Sequence, residues 1–181
     1  VSMIGHILGQ HCGPDHVHVG GNLGGSLLDR IDAIGPGDWV VLELSSFMLE
    51  AMGDWSPHIA VATNIAPNHL DRHEHLDAYV HAKQTLLRGE AHDDRAILGP
   101  GLGDWRHVTP AVAVCEDQPL DLRLRVPGEH NRMNATLAVA ACEAAHVRRR
   151  LAVDALATFA GLPHRLEHVR RVGEVDYLND S

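Results

Sequence analysis

The sequence predicts an α/β protein in which a mostly parallel sheet is flanked by helices. Three observations predict it. Short apolar runs that suit buried strands alternate along the chain with segments whose apolar residues recur at helical spacing, a pattern that implies parallel strands covered on both faces. The length, 181 residues, is enough for one domain with a real core. Apolar residues make up 45% and charged residues 22% of the chain, which is globular rather than disordered or fibrous.

The elements follow in order. Val1, Ile4, Ile7 and Leu8 recur at helical spacing with no capping residue before them, so the opening helix is expected to continue from further upstream. Val17 to Gly20 reads as a short strand, followed by a glycine-rich turn from Gly20 to Gly25. A helix carrying Leu27, Leu28, Ile31 and Ile34 is predicted next, ended by Gly35-Pro36-Gly37. Asp38 to Leu44 is an apolar strand, and Ser45 or Ser46 can cap a helix carrying Phe47, Met48 and Met52. His58 to Ile65 is a further strand, with a polar loop and a helix from about His75 to Arg88 behind it. Strands are predicted at Arg95 to Leu98 and Ala111 to Val114, helices at about Asn131 to Ala145 and Val153 to Ala160, and a last strand at Glu174 to Leu178. There is no internal repeat.

Composition narrows the function. The formal charge of −9 argues against a nucleic-acid-binding face but leaves room for a phosphate-bearing small ligand. No apolar stretch is long enough to span a membrane, and no secretory signal is evident. Three cysteines without a CxxC pair fit a reducing compartment rather than a disulfide framework. A cytoplasmic protein is the expectation. The 15 histidines are read mainly as scattered surface residues.

In open parallel sheets, ligands bind at the carboxyl ends of the strands. Three predicted strand ends carry polar groups: Gly21-Asn22-Leu23-Gly24, Glu43 followed by Ser45-Ser46, and Asn64 with Asn68-His69-Leu70-Asp71. Turn and cap chemistry accounts for Asn22 and the serines. It accounts poorly for Glu43, a carboxylate inside the run Val40-Val41-Leu42-Glu43-Leu44, because burial of such a group is costly unless it is paired or binds a metal. Lys83 falls on the apolar stripe formed by Leu76, Tyr79, Val80, Leu86 and Leu87. Either its stem snorkels along apolar surface, or it is buried, favours the neutral amine and can take up carbon dioxide as a carbamate. His69, His73 and His75 lack a third ligand at zinc spacing. Hard-cation chemistry through Glu43 and His69 fits better, since phosphate-transfer sites hold magnesium with few protein ligands.

Five motifs then occur in sequence: Glu43-Leu44-Ser45-Ser46-Phe47-Met48-Leu49-Glu50, Thr63 to His73, Tyr79-Val80-His81-Ala82-Lys83, Gly128 to Asn134, and His164-Arg165-Leu166-Glu167 with Asn179-Asp180-Ser181. Together they resemble the Mur ligases, and within them the type that adds D-glutamate. The resemblance implies an ATP-dependent amide ligase of peptidoglycan precursor synthesis, in which the carboxylate of UDP-N-acetylmuramoyl-L-alanine is phosphorylated by ATP and the amine of D-glutamate then displaces phosphate. Such chemistry needs cations and oriented donors around phosphoryl oxygens. By resemblance, Glu43 would hold one Mg2+, while His69 and a carbamylated Lys83 would hold a second. Asn22 and Ser45 would contact the uridine-nucleotide substrate. Asn131 and Asn134 would face adenine, with Arg165 and Asp180 at the ribose or phosphates. His69 and Lys83 would be the catalytic pair. For Asn131 and Asn134 helix-entry capping remains an equal reading, and for Arg165 an ion pair with Glu167.

The resemblance also implies a division into residues 1–163, a central ATP-binding domain without its first strand and phosphate-binding loop, and 164–181, a junction and the first strand of a C-terminal domain. The parent would be a monomer. On that reading the 181-residue chain alone is expected to be inactive and prone to aggregate, because a strand normally inside the sheet would be missing. Asn68 stands where the family often has Asp. A non-catalytic nucleotide-sugar-binding module, another Mur ligase or a folylpolyglutamate-type ligase are the alternatives.

Overall fold

The computed structural model describes residues 1–53, 55–65, 76–88, 93–109, 112–162 and 167–179. The chain opens with helix α1 (Ser2–Cys12), a 3-10 turn (Pro14–His16), strand β1 (Val17–Gly21), a 3-10 segment (Leu28–Ala33) and β2 (Trp39–Glu43). Then come α2 (Ser46–Ala51), β3 (Ile59–Ala62), α3 (Leu76–Gln84) with a 3-10 turn (Thr85–Leu87), and β4 (Arg95–Leu98). A 3-10 segment (Gly103–Val108), β5 (Val112–Cys115), α4 (Glu129–Ala144), α5 (Arg149–Leu156), β6 (Glu167–Val172) and β7 (Val175–Asn179) complete the order.

The α/β expectation holds, with one refinement: the parallel strands form two sheets rather than one. β1 pairs with β2 in register from Val17 opposite Trp39 to Gly21 opposite Glu43. β3, β4 and β5 make a second parallel sheet. Among the described residues β2 and β3 are not hydrogen-bonded to each other, yet Val41 of β2 and Ile59 of β3 pack on one core with Ile4 of α1. β6 and β7 form a separate antiparallel hairpin.

Period-two alternation explains the layering of the second sheet. Ala96 and Leu98 of β4 face a core made with Ala60, Leu87, Leu102 and Trp105. Ile97 between them faces Leu137, Ala140 and Ala141 of α4. Both faces of β4 are therefore covered, as a parallel strand requires. β1 and β2 have α1 on one face, through Val17, Trp39 and Val41, while Val40 on the other face is exposed.

Helix α4 is buried continuously from Ala135 to Cys142, as expected of a helix apolar on all sides. Its alanines let α1 and the sheet approach from opposite sides. Buried Thr136 satisfies its hydroxyl by donating to the Arg132 carbonyl (2.9 Å) and accepting from the Leu120 N–H (2.8 Å), which ties the preceding loop to the helix. The helix ends with His146 in the left-handed region and the Val147 N–H on the Cys142 carbonyl (2.9 Å), a Schellman-type closure that buries Val147 and starts α5.

Several expectations need correction. The helix expected through Leu27 to Ile34 is a 3-10 segment, and Leu28 and Ile31 are 74% and 60% exposed, so their spacing does not mark a core stripe. The helix expected at Val153 to Ala160 lies at Arg149–Leu156, because the buried face is set by Ala152, Ala155 and Leu156. Strand β6 was not foreseen: Arg170 and Arg171 interrupt its apolar alternation, and the Gly173 turn that reverses it is only two residues long. β3 is shorter than His58 to Ile65.

Candidate functional site

Glu43 ends β2, opposite Gly21 at the end of β1. This places the carboxylate on the carboxyl edge of the parallel pair, where open α/β sheets take ligands. It is half-buried rather than enclosed, and the glycine-rich turn explains how it is paired. The Gly21 N–H donates to the Gly25 carbonyl (2.9 Å), closing the turn, and the Asn22 N–H donates to the Glu43 carbonyl (2.8 Å). The Asn22 side-chain Nδ2 then donates to Glu43 Oε1 (3.2 Å). Gly21 has φ 97°, and a Cβ there would collide with the Glu43 backbone, so only glycine permits this approach.

Helix α1 packs against β2, the strand that carries this carboxylate. A strand-end carboxylate with one oxygen held by a neutral amide fits a magnesium ligand. Among the described residues Glu43 Oε2 has no protein hydrogen bond.

Ser45 caps α2: its Oγ accepts the Met48 N–H (3.3 Å). α2 packs against α3, which carries Lys83. Lys83 is half-buried with Nζ 5.1 Å from the centre of the buried Tyr79 ring, one helical turn back. The Nζ thus lies over the face of the Tyr79 ring, within cation–π range. Neither Glu43 nor Lys83 forms a salt bridge among the described residues, and no three His, Cys, Asp or Glu side chains among them converge on a metal position. His69, Arg165 and Asp180 lie outside the described residues, as do Asn68 and His73.

At the other predicted subsite, Asn131 Nδ2 donates to the Pro127 carbonyl (2.6 Å), which is the helix-entry role. Asn134 is exposed on the next turn. An open groove of about 340 Å³ at the start of α4 is walled by Leu122, Leu124, Val126 and Pro127 and by Glu129 and Arg132. The alternating leucines and valine that form its apolar shelf were visible in the sequence but were not recognised as a binding wall.

A second carboxylate cluster sits at the opposite, amino end of β2. Asp38 accepts from His18 Nε2 (3.0 Å), the Gly35 N–H (2.8 Å) and His16 Nδ1 (2.7 Å), and these bonds, that of His18 first, hold its pKa well below the usual carboxylate range. Its partners are the start of β1 and its own turn, so it fastens the two strands.

Residues 30–100 match the model of the Mur ligase middle domain. The chain is 39% identical over 168 residues to UDP-N-acetylmuramoylalanine--D-glutamate ligase of Lawsonia intracellularis, covering 91% of this chain and 38% of that protein. It is 37% identical over 195 residues to the ligase of the same name from Acetivibrio thermocellus, covering 90% and 41%. Its fold superimposes on a solved UDP-N-acetylmuramoyl-L-alanyl-D-glutamate--2,6-diaminopimelate ligase with a TM-score of 0.74 at 20% identity, over 94% of this chain and 46% of that one. Most of the chain is thus similar to ligases of the Mur type, with the middle-domain match inside it. The chain spans about two fifths of the length of the curated relatives it matches.

Proposed function

We propose that this chain is the ATP-binding middle portion of a ligase that joins D-glutamate to UDP-N-acetylmuramoyl-L-alanine. The observation that carries the reading is Glu43, set on the carboxyl edge of the β1–β2 pair with one oxygen held by Asn22, in a chain 39% identical to a protein named for that reaction. The γ-phosphoryl group of ATP would pass to the substrate carboxylate, releasing ADP. The D-glutamate amine would then attack the acyl carbon, lose a proton and expel phosphate.

In this reading Glu43 supplies an anionic ligand for the cation at the phosphates. Bound Mg2+ would offset the negative charge that accumulates on the phosphoryl oxygens. Lys83, as a carbamate formed by adding carbon dioxide and losing a proton, and His69 would serve a second such ion near the reacting carboxylate. Ser45 and Asn22 border the UDP-sugar side. The groove at the start of α4 would take adenine against Leu122, Leu124 and Val126, with Asn131 and Asn134 toward the base and Arg165 and Asp180 toward the ribose. Residues 1–163 would be the ATP-binding unit and 164–181 the entry to the next domain. Three free cysteines fit a cytoplasmic enzyme, and no helix among the described residues is long and apolar enough to cross a membrane.

The test is ADP release by the full-length protein with ATP, Mg2+, UDP-N-acetylmuramoyl-L-alanine and a panel of amino acids. ADP release that depends on D-glutamate is expected. Preference for L-alanine, L-lysine or diaminopimelate, or for a folate acceptor, would overturn the assignment.

A further inference from the structure

We propose that Asn22 is a positioning residue for Glu43: its side-chain amide fixes one carboxylate oxygen so that the other is presented to a divalent cation. This rests on the reading of Glu43 as a cation ligand. It differs from the substrate contact that resemblance alone assigns to Asn22.

The geometry supports the role in three ways. The turn that carries Asn22 is built on Glu43 itself, through the Gly21–Glu43 strand pair, the Asn22 N–H on the Glu43 carbonyl and the closure by Gly25. A side chain delivered by that turn cannot drift relative to the carboxylate it meets. Next, only the NH2 group of the amide can donate to Oε1, so the 3.2 Å contact fixes the orientation of both groups. Oε2 is left without a protein hydrogen bond among the described residues. Finally, the donor is neutral. A lysine or arginine at this position would also orient the carboxylate but would cancel the charge that attracts a cation, whereas asparagine leaves that charge in place.

Asn22 is exposed and its φ is not left-handed, so Asn22→Ala removes the amide donor without opening a core void. The backbone contacts of the turn survive the substitution. Supporting partners of metal ligands are typically worth about 10–100-fold in affinity.

The experiment is a Mn2+ titration of the full-length protein followed by electron paramagnetic resonance, with Asn22→Ala, Glu43→Gln and the double variant. Amide spectra of Gly20, Gly21, Gly24 and Gly25 report the turn. The expected result is that Glu43→Gln abolishes site binding and Asn22→Ala weakens it about tenfold with the turn resonances unmoved. The double variant should be no weaker than Glu43→Gln alone. Mn2+ affinity in Asn22→Ala within about twofold of wild type would overturn the proposal. So would loss of the turn resonances together with binding, which would make the role structural. If Glu43→Gln binds as wild type, or wild type takes up no Mn2+, the reading of Glu43 itself falls; failure of Asn22→Ala alone leaves that reading standing.

Discussion

Gly21 and Glu43 face each other across the β1–β2 pair at a distance that leaves no room for a Cβ on Gly21. Contact and backbone conformation both demand glycine there, since φ is 97°. Gly25, at the other end of the same turn, has φ 79° but open space around it. Gly25→Ala should therefore cost only the left-handed strain, about 1 kcal/mol. Gly21→Ala should cost about 1–3 kcal/mol more, because the strands must also part. Urea unfolding of the two variants measures the difference.

The corrected 3-10 segment gives a second contrast. Leu137 is buried between α4 and Ile97, and Leu137→Ala should lower stability by about 2–5 kcal/mol. Leu28 was expected in a core-facing helix but is exposed, so Leu28→Ala should stay within about 0.5 kcal/mol. Equal losses at the two positions would contradict the described layering.

Asp38 links folding to pH. Its pKa is depressed in the folded state by His18, the Gly35 N–H and His16. A depressed carboxylate stabilises the fold above its unfolded pKa, near 3.9, and that contribution disappears as pH falls through the lower folded value. Asp38→Asn should lower Tm at pH 7, and the gap from wild type should close progressively below about pH 4. Thermal melts across that range test the sign.

The cysteines should separate by reactivity. Burial pushes the Cys142 thiol up to about 12, with proximity to Cys12 adding to the shift. Cys12 and Cys115 are only partly buried. A thiol reagent at pH 8 should label Cys142 only after unfolding, because the thiolate is the reactive form. Mass spectrometry of labelled native protein would show the order.

Much of the fold was legible because buried parallel strands and a helix as apolar as α4 write their periods directly into the chain. Local spacing offered Ser45 or Ser46 as a cap and helix entry as one of two readings of Asn131; the Met48 N–H on Ser45 and the Asn131 bond to the Pro127 carbonyl come from the structure. What could not be read is non-local. The Asn22–Glu43 bond joins residues 21 positions apart, and the split between β2 and β3 is a matter of pairing, to which periodicity is blind. Leu28 and Ile31 misled because helical spacing is shared by buried and exposed turns. β6 was hidden by two arginines on a hairpin that needs no apolar run.

The most direct test of the central claim is the Glu43→Gln variant of the full-length protein, assayed for Mg2+-dependent ADP release with D-glutamate and UDP-N-acetylmuramoyl-L-alanine. If this strand-end carboxylate holds the cation at the phosphates, turnover should fall by about a hundredfold or more while the fold, followed by circular dichroism, is retained. Turnover within about threefold of wild type would contradict the account.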